Sequence, residues 1–440
     1  MPQDKEFAKR RKQFLGMVGK GNIAVIASAA ICQRNADVEF SFRQNSDFYY
    51  LSGFDEPEAV IVFVPERENG EYLLFCREYD ETTALWVGAS VGLEGAVEHY
   101  GVDDAFPIDD IDDILPGLLE NKNRLYFPIG SQSSFDQQLM DWSQEVRSRS
   151  RTGVSAPAEF ISSDHLLHEM RLIKSAQEIK LMKKAAKISV AAHNRAMAFT
   201  QPGHYEYQVD AELKHHFMSQ GAQSEAYPAI VGGGDNGCVL HYTQNDARLN
   251  DGDLLLIDAG CEWGKYAADI TRTFPINGVF SNPQRALYQL VLDAQYAAIE
   301  QVKPGNHWNA PHEAAVEVLT KGLVALGILK GRVSTLIKKE AYKPYYMHRT
   351  GHWLGLDVHD VGDYKIDGQW RLFEPGMVLT VEPGLYLQPT ATELDEKWRG
   401  IGIRIEDDVL VTKKGCEVLT DSAVKEIDDI EAMMCGGRIA

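Results

Sequence analysis

Short apolar runs alternate with amphipathic stretches through residues 1–170 of the chain. Runs at residues 23–26, 59–64 and 72–75 predict buried strands, and the polar turn between the last two predicts that they are adjacent. Residues 109–119 carry apolar side chains at helical spacing with acidic residues on the other face, which predicts a surface helix. The pattern therefore predicts an N-terminal domain of mixed α/β structure.

A polar segment at residues 148–157 is the first candidate for a domain boundary. Beyond it, Ser175 and Glu178 match the capping box that begins a helix, and apolar residues follow at helical intervals until Gln-Pro-Gly at 201–203 ends it. We place the join near residue 170, which predicts an N-terminal domain at 1–170 and a C-terminal domain at 171–440.

The C-terminal part alternates long helices with strands. Helical spacing covers residues 283–302 and 311–326. Strand patterns cover residues 254–257, 267–274, 377–381 and 401–411. Both parts therefore predict a mixed protein of helices and strands, of class α/β in the broad sense and α+β in the narrower one. No repeat of solenoid length is present.

Composition narrows the function. The chain has 440 residues, 44% hydrophobic and 25% charged, which is typical of a soluble globular protein. Its net charge of -20 argues against nucleic acid or an anionic membrane as a partner. Six cysteines without a Cys-x-x-Cys pair favour a reduced, cytoplasmic setting. The apolar stretch at 23–31 is better explained as a strand than as a signal peptide or a membrane span.

Two aspartates lie at strand positions in the C-terminal part. Asp258 ends the apolar run 254–257, where an unpaired carboxylate would be very costly. A turn near Gly264 would return the chain so that Asp269 faces Asp258 across a hairpin. Such a hairpin taken alone is more often explained by hydrogen bonds to turn amides than by a metal.

Further candidate ligands follow. Three of the 13 histidines, His348, His352 and His359, fall in one glycine-containing stretch, which favours a functional site. Period-two alternation places Glu382 at the end of a strand and puts Arg404 beside Glu406, although a salt-bridged sheet face explains that pair equally well. Asp258, Asp269, His352, Glu382 and Glu406 together offer four carboxylates and one imidazole, which suits two hard divalent cations.

The motifs that hold these residues occur in the order seen in the pita-bread metallopeptidases, a family that includes methionine aminopeptidase, prolidase and aminopeptidase P. The resemblance covers roughly residues 175–420 and is carried by Ile257-Asp258-Ala259-Gly260, Asp269-Ile270-Thr271-Arg272, His348-Arg349-Thr350-Gly351-His352, Thr380-Val381-Glu382-Pro383-Gly384 and Ile403-Arg404-Ile405-Glu406. Residues 42–53 also resemble the leading domain of aminopeptidase P. With that segment, the resemblance covers nearly the whole chain.

The resemblance implies an N-terminal mixed α/β domain followed by a pita-bread domain, and it implies Xaa-Pro cleavage by a hydroxide that bridges two metal ions. The family's five ligands fall on Asp258, Asp269, His352, Glu382 and Glu406, with Mn²⁺ expected from ligand hardness and Co²⁺ or Zn²⁺ as alternatives. The catalytic residues that it implies are His241, His348, His359, Glu382 and Arg404. Tyr386, Trp86 and Asp37 are the residues expected on the substrate side.

Assembly and rival functions complete the expectations. Bacterial-type members of the family form tetramers, so the resemblance implies a homotetramer or dimer in which Asp37 and Trp86 reach the site of a neighbouring chain.

The rival functions differ in what they require. Prolidase shares the fold and the metals but needs a residue, usually an Arg, that binds the carboxylate of the dipeptide. A non-catalytic pita-bread binding module would be expected to lack ligands. Methionine aminopeptidase is disfavoured by the long leading domain. A phosphate site at residues 232–234 lacks the P-loop context, and a flexible turn is expected there.

Overall fold

The structure, a computed structural model, describes residues 2–436. The chain divides into two compact units, Met1–Met170 and Arg171–Ala440. No helix in the described part of the chain is long and apolar enough to cross a membrane.

The first unit is built on one six-stranded sheet. Its helices are α1 (Pro2–Val18), α2 (Ser46–Ser52), α3 (Glu81–Val87), α4 (Gly92–Tyr100), α5 (Ile111–Leu119), α6 (Ser133–Ser148) and α7 (Asp164–Leu172), the last of which extends past the division. Its strands are β1 (Ile23–Ala27), β2 (Gln33–Asn35), β3 (Val38–Glu39), β4 (Val60–Phe63), β5 (Tyr72–Cys76), β6 (Asp104–Pro107), β7 (Arg124–Phe127) and β8 (Glu159–Ser162). The sheet order is β6-β5-β4-β1-β7-β8, and β2 pairs with β3 separately.

The predicted strands of this unit are present. Strands β1, β4 and β5 are buried along their whole length, as their continuous apolar sequences require. Strands β4 and β5 are antiparallel neighbours, so the predicted adjacency is confirmed. The helix predicted at 109–119 begins as a short 3₁₀ turn and continues as α5, with Leu115 and Leu119 in the core.

The second unit wraps helices around several small sheets. Its helices are α8 (Ala176–Phe199), α9 (Glu206–Ser219), α10 (Asn282–Ile299), α11 (Ala310–Ala325), α12 (Val333–Lys338) and α13 (Ile427–Gly436). Its strands are β9 (Ser224–Glu225), β10 (Ile230–Gly233), β11 (Leu254–Asp258), β12 (Cys261–Trp263), β13 (Tyr266–Ala267), β14 (Thr271–Pro275), β15 (Lys365–Ile366), β16 (Gln369–Trp370), β17 (Val378–Val381), β18 (Gly384–Leu387), β19 (Ile401–Arg404), β20 (Asp407–Thr412) and β21 (Gly415–Val418).

The helix starts follow the sequence closely. The Ser175 hydroxyl accepts from the backbone N–H of Glu178, whose carboxylate accepts in return from the backbone N–H of Ser175, so the predicted capping box is confirmed. Helices α10 and α11 both have a proline in their first turn, where its missing N–H costs nothing. One apolar core unites these helices with the strands that carry the acidic residues.

Two predicted strands are each divided in the structure. Residues 267–274 form the end of β13 and most of β14, because the backbone N–H of Asp269 faces the Asp408 carboxylate instead of a neighbouring strand. Residues 401–411 form β19, which pairs with β18, and β20, which pairs with β17 and β21. Strand alternation therefore does not run continuously from Arg404 to Glu406.

The glycine run at 232–234 was expected to be a flexible turn, and this expectation is wrong. Gly232 and Gly233 lie in β10, which pairs with β11 opposite Leu256 and Leu255. A Cβ on Gly232 would lie 2.9 Å from the backbone carbon of Asn236. The glycine therefore permits a close backbone approach, which is a reason for glycine inside a strand.

Candidate metal centre and active-site cavity

A cavity of about 420 Å³ in the second unit gathers the residues that the sequence singled out. Its walls include all five predicted metal ligands and also His241, His348, His359 and Arg404. The other residues that line it are Tyr227, Pro228, Ile230, Leu240, Thr243, Arg349, Gly351 and Val358. Ligating, basic and apolar side chains thus share one concave space, as expected of an enzyme site.

The two aspartates meet through a tyrosine. Asp258 ends the buried strand β11 and is paired in register with Thr271, so Asp269 lies just before β14 and not directly opposite Asp258. The hydroxyl of Tyr227 lies 2.6 Å from Asp258 Oδ1 and also contacts Asp269 Oδ1. The predicted convergence of the two carboxylates is present, but a third residue from a different segment connects them.

His352 is oriented for ligation. Its Nδ1 lies 2.9 Å from the carbonyl oxygen of Trp353, so Nδ1–H donates there and Nε2 is left as the ligating nitrogen. That Nε2 lies 3.3 Å from Asp269 Oδ2 and 3.7 Å from Glu382 Oε1. Ligand atoms of Asp269, His352 and Glu406 all lie within 4.8 Å of one another.

The two glutamates follow strands of different sheets. Glu382 comes directly after β17, and its backbone N–H donates to the Thr350 carbonyl at 2.8 Å. Glu406 lies between β19 and β20, and its Oε2 accepts from the Thr271 hydroxyl at 2.6 Å. The main-chain contact thus fixes the position of Glu382 and the Thr271 hydroxyl fixes the carboxylate of Glu406, and both residues line the cavity.

Burial and mutual repulsion of the four carboxylates shift their pKa values. Burial, reinforced by neighbouring carboxylates, raises the pKa of Glu382 to about 7 and the pKa of Glu406 well above its ordinary value. Burial also raises the pKa of Asp258, against the charge of Arg404. Burial alone would raise the pKa of Asp269, but the hydrogen bond and charge of His352 bring it below its usual value.

These residues fit a divalent metal centre. Four carboxylates in one desolvated space repel one another, and His352 is the imidazole whose pKa their field raises to about 9 in spite of its burial. A multivalent cation among these atoms would neutralise the carboxylates and replace the protons that they otherwise retain. Oxygen-rich ligation with one imidazole suits hard or borderline divalent ions.

A buried hydrogen-bonded chain supports the ligands from behind. Arg404 donates from Nη2 to Asp258 Oδ2 at 2.7 Å, from Nε to the Thr271 hydroxyl at 3.0 Å and from Nη1 to the Tyr386 hydroxyl at 3.0 Å. The Tyr386 hydroxyl lies 2.8 Å from His348 Nε2. Tyr386 is fully buried and is not among the residues that line the cavity, so the structure places it behind the wall.

His348 is held as a neutral imidazole. Its Nδ1 lies 2.7 Å from the carbonyl oxygen of Arg349, to which it donates, and its Nε2 then accepts from Tyr386. Burial, with the nearby charge of Arg404, lowers the pKa of His348 to about 3. Both ring nitrogens are thus engaged, and the neutral imidazole adds no charge to the cavity wall.

His359 projects from an anchored loop. Its ring packs edge-on against that of His352 at 4.3 Å between centroids. The next residue, Asp360, is buried and accepts from Lys174 Nζ at 2.8 Å and from Arg171 Nη2 at 2.6 Å. These buried ion pairs fix the loop that presents His359 to the cavity.

Of the three remaining predicted residues, one lies in the cavity wall and two lie outside it. His241 is in the cavity wall, in the turn that follows the 3₁₀ segment Gly234–Cys238. Trp86 is in α3 of the first unit with 84% of its surface exposed, and Asp37 is exposed between β2 and β3. Neither Trp86 nor Asp37 is among the residues that line the cavity.

Two contributors were missed by the sequence reasoning. Tyr227 has no motif around it, and only the fold brings its hydroxyl between Asp258 and Asp269. Thr271 lies inside one of the quoted motifs, yet its contacts with Glu406 and Arg404 arise across 135 and 133 residues of sequence. The sequence signal for Thr271 is its place two residues after Asp269, within the same motif.

Known proteins resemble this chain over its whole length. Residues 180–413 match the model of metallopeptidase family M24, and residues 7–126 match that of the aminopeptidase P N-terminal domain. An Xaa-Pro aminopeptidase of Escherichia coli (strain K12) is 45% identical over 98% of this chain and 98% of its own. One of Haemophilus influenzae is 43% identical over 98% of this chain and 97% of its own.

Solved structures of bacterial aminopeptidases also match the fold of this chain. The structure of Pseudomonas aeruginosa aminopeptidase PepP matches with a TM-score of 0.99 and 54% identity, covering 99% of both chains. That of proline aminopeptidase P II from Yersinia pestis matches with a TM-score of 0.96 and 47% identity, covering 98% of this chain and 99% of its own. The chain therefore belongs to metallopeptidase family M24, in the aminopeptidase P group of pita-bread enzymes.

Proposed function

We propose that this chain is a divalent-metal-dependent aminopeptidase that releases the N-terminal residue from peptides with proline in second position. One observation carries the proposal. All five proposed ligands converge in the same cavity as three further histidines and two arginines, on a chain whose relatives are Xaa-Pro aminopeptidases. A non-catalytic pita-bread module has no need for such a complete set.

We infer that two divalent ions are held by Asp258, Asp269, His352, Glu382 and Glu406, with Mn²⁺ the expected metal and Co²⁺ or Zn²⁺ the alternatives. Bound there, the ions would polarise the scissile carbonyl and lower the pKa of a water. The free N-terminal amine of the substrate is expected to bind near the metals and the acidic side chains. Arg404 positions Asp258 through its 2.7 Å ion pair.

The other residues act on the peptide. Glu382, beside its role as a ligand, is assigned to accepting the proton of the attacking water. His359 and His241 are assigned to hydrogen bonds with the substrate carbonyl and the oxyanion that develops from it. Neutral His348 is assigned to the leaving-group side, and Tyr386 keeps it oriented from behind the wall.

Proline in second position makes a dedicated site necessary. The Xaa-Pro bond has no N–H, and the ring fixes the backbone, so peptidases that grip an extended chain through that N–H are excluded. The cavity wall here combines Tyr227, Pro228, Ile230 and Leu240 with the histidines. Such a wall can accept the ring by apolar contact without needing the missing donor.

The first experiment compares an Xaa-Pro-Xaa tripeptide with an Xaa-Pro dipeptide, using metal-stripped protein before and after Mn²⁺ is restored. We expect Mn²⁺-dependent release of the first residue from the tripeptide, with the dipeptide a poor substrate. Preference for the dipeptide would identify a prolidase. No cleavage of either peptide, with metal confirmed bound, would favour a binding module instead.

The setting and assembly are part of the proposal. We place the enzyme in the cytoplasm, since all six cysteines are free thiols that a reducing compartment would preserve. We also expect a homotetramer or dimer, in which Asp37 and Trp86 reach a neighbouring chain's site. The exposure of Trp86 supports this assembly.

A further inference from the structure

Arg349 brings an unneutralised positive charge to an otherwise acidic cavity. Four carboxylates line the cavity, and the other arginine in its wall, Arg404, is already paired with Asp258. Arg349 also lines the cavity and is exposed. Over residues 2–436, no carboxylate forms an ion pair with Arg349. Its charge is therefore available to a ligand.

The guanidinium is held in place without being neutralised. It lies over the Trp370 ring at 5.2 Å from the centroid and donates from Nη2 to Asn309 Oδ1. Lys365, the antiparallel partner of Trp370 in the β15–β16 hairpin, places its Nζ 4.3 Å from the same ring. Two cations thus share one indole, and stacking leaves most of the guanidinium's N–H donors unused.

The position of Arg349 along the chain indicates which end of a bound peptide it faces. Arg349 follows His348, which is assigned to the leaving-group side of the cavity. The substrate's amino end is expected among the carboxylates, so its C-terminal end extends towards Arg349. A dipeptide has its carboxylate on the proline itself, whereas a tripeptide moves it outwards by roughly 3.3–3.6 Å.

We propose that Arg349 is a specificity-determining residue that recognises the C-terminal carboxylate of short peptide substrates. The proposal rests on the proposed peptidase function and adds a preference for peptides long enough to bring the carboxylate out of the acidic interior. Planar, bidentate contact with a carboxylate is the geometry for which a stacked arginine is suited.

The test measures kcat and KM for one Xaa-Pro-Xaa tripeptide as the free acid and as the C-terminal amide, with Mn²⁺-loaded protein at low and high salt. The variants are Arg349→Gln, Arg349→Lys and the control Arg332→Gln, which removes an equal charge from an exposed residue that does not line the cavity. We expect the wild type to prefer the acid through KM, and this preference to weaken with salt.

In Arg349→Gln the preference for the acid over the amide should fall about tenfold, which is the effect expected from the loss of one charge-assisted hydrogen bond. The remaining preference should no longer depend on salt. Arg349→Lys should retain part of it, and Arg332→Gln all of it. A wild-type enzyme indifferent to amidation, or an unchanged ratio in Arg349→Gln, would overturn the proposal while leaving the aminopeptidase function intact. Failure of the loaded wild type to cleave either peptide would instead refute the function.

Discussion

Tyr227 has one hydroxyl proton but two carboxylate neighbours. It can donate to Asp258 or to Asp269 at any moment, so without a cation one of these oxygens faces the phenol's oxygen atom unless it is itself protonated. Burial and the surrounding carboxylates raise the pKa of Tyr227 well above its usual value, so the phenol remains protonated. A divalent cation would satisfy the second carboxylate, and this makes Tyr227 a residue that orients the ligands.

Ligands and transition-state donors should respond differently to substitution. Asp258→Asn keeps the shape but removes one charge from the centre and the partner of Arg404. We expect most of the bound metal, and at least about 100-fold of the activity, to be lost. His359→Ala should retain its metal while kcat falls about 10²–10³-fold, the usual effect of removing an oxyanion donor.

Metal content by elemental analysis and kcat on the same preparations separate the two roles. Full activity of Asp258→Asn with two bound ions would remove Asp258 from the ligand set. Parallel loss of metal and turnover in His359→Ala would make His359 a structural residue, because its ring packs against His352 at 4.3 Å.

At the scale of elements, the sequence predicted the parts that local patterns control. The buried strand that ends at Asp258 and the capped start of α8 needed only apolar periodicity and a Ser-x-x-Glu spacing. The interruptions before β14 and β20 were missed because they depend on distant partners. The backbone N–H of Glu406, for example, donates to the Thr271 carbonyl at 3.1 Å. No local pattern contains such a contact.

The segment that carries His352 behaves as an extra strand beside β17. The backbone N–H of Thr380 donates to the His352 carbonyl at 2.9 Å, and that of Glu382 donates to the Thr350 carbonyl at 2.8 Å. Between them, a Cβ on Gly351 would lie 2.0 Å from the Thr380 carbonyl oxygen. The pairing that sets the two proposed metal ligands His352 and Glu382 side by side therefore requires glycine at this position.

Gly351→Ala should force this segment away from β17. We expect a loss of about 1–3 kcal/mol in the free energy of unfolding, as for other overpacked positions, together with weaker metal binding. The matched control is Gly117→Ala, in helix α5 with nothing within 4 Å of the added Cβ, which should be neutral or stabilising by up to about 1 kcal/mol. Urea unfolding and Mn²⁺ titration measure both effects. Wild-type stability and affinity in Gly351→Ala would contradict the close packing.

At the scale of the molecule, the exposed apolar surface of α3 argues against a monomer. Leu85, Trp86 and Val87 are 86%, 84% and 73% exposed in consecutive positions of α3. A monomeric protein seldom leaves such a contiguous apolar group in water, whereas an interface would bury it with a gain of about 1.5–3 kcal/mol for each large side chain. The acidic net charge of -20 opposes non-specific association, so we expect the contact to be specific.

We therefore expect the wild type to be a tetramer or dimer by light scattering, and Leu85→Ser/Trp86→Ser to shift it towards smaller species. If Trp86 borders a neighbouring chain's cavity, the variant should also lose peptidase activity while retaining its metal, since all five proposed ligands line the cavity of one chain. Met218→Ser, which alters another exposed apolar side chain, should change neither property. A wild type that is monodisperse, monomeric and fully active would refute the assembly, and the exposed residues of α3 would then need another partner.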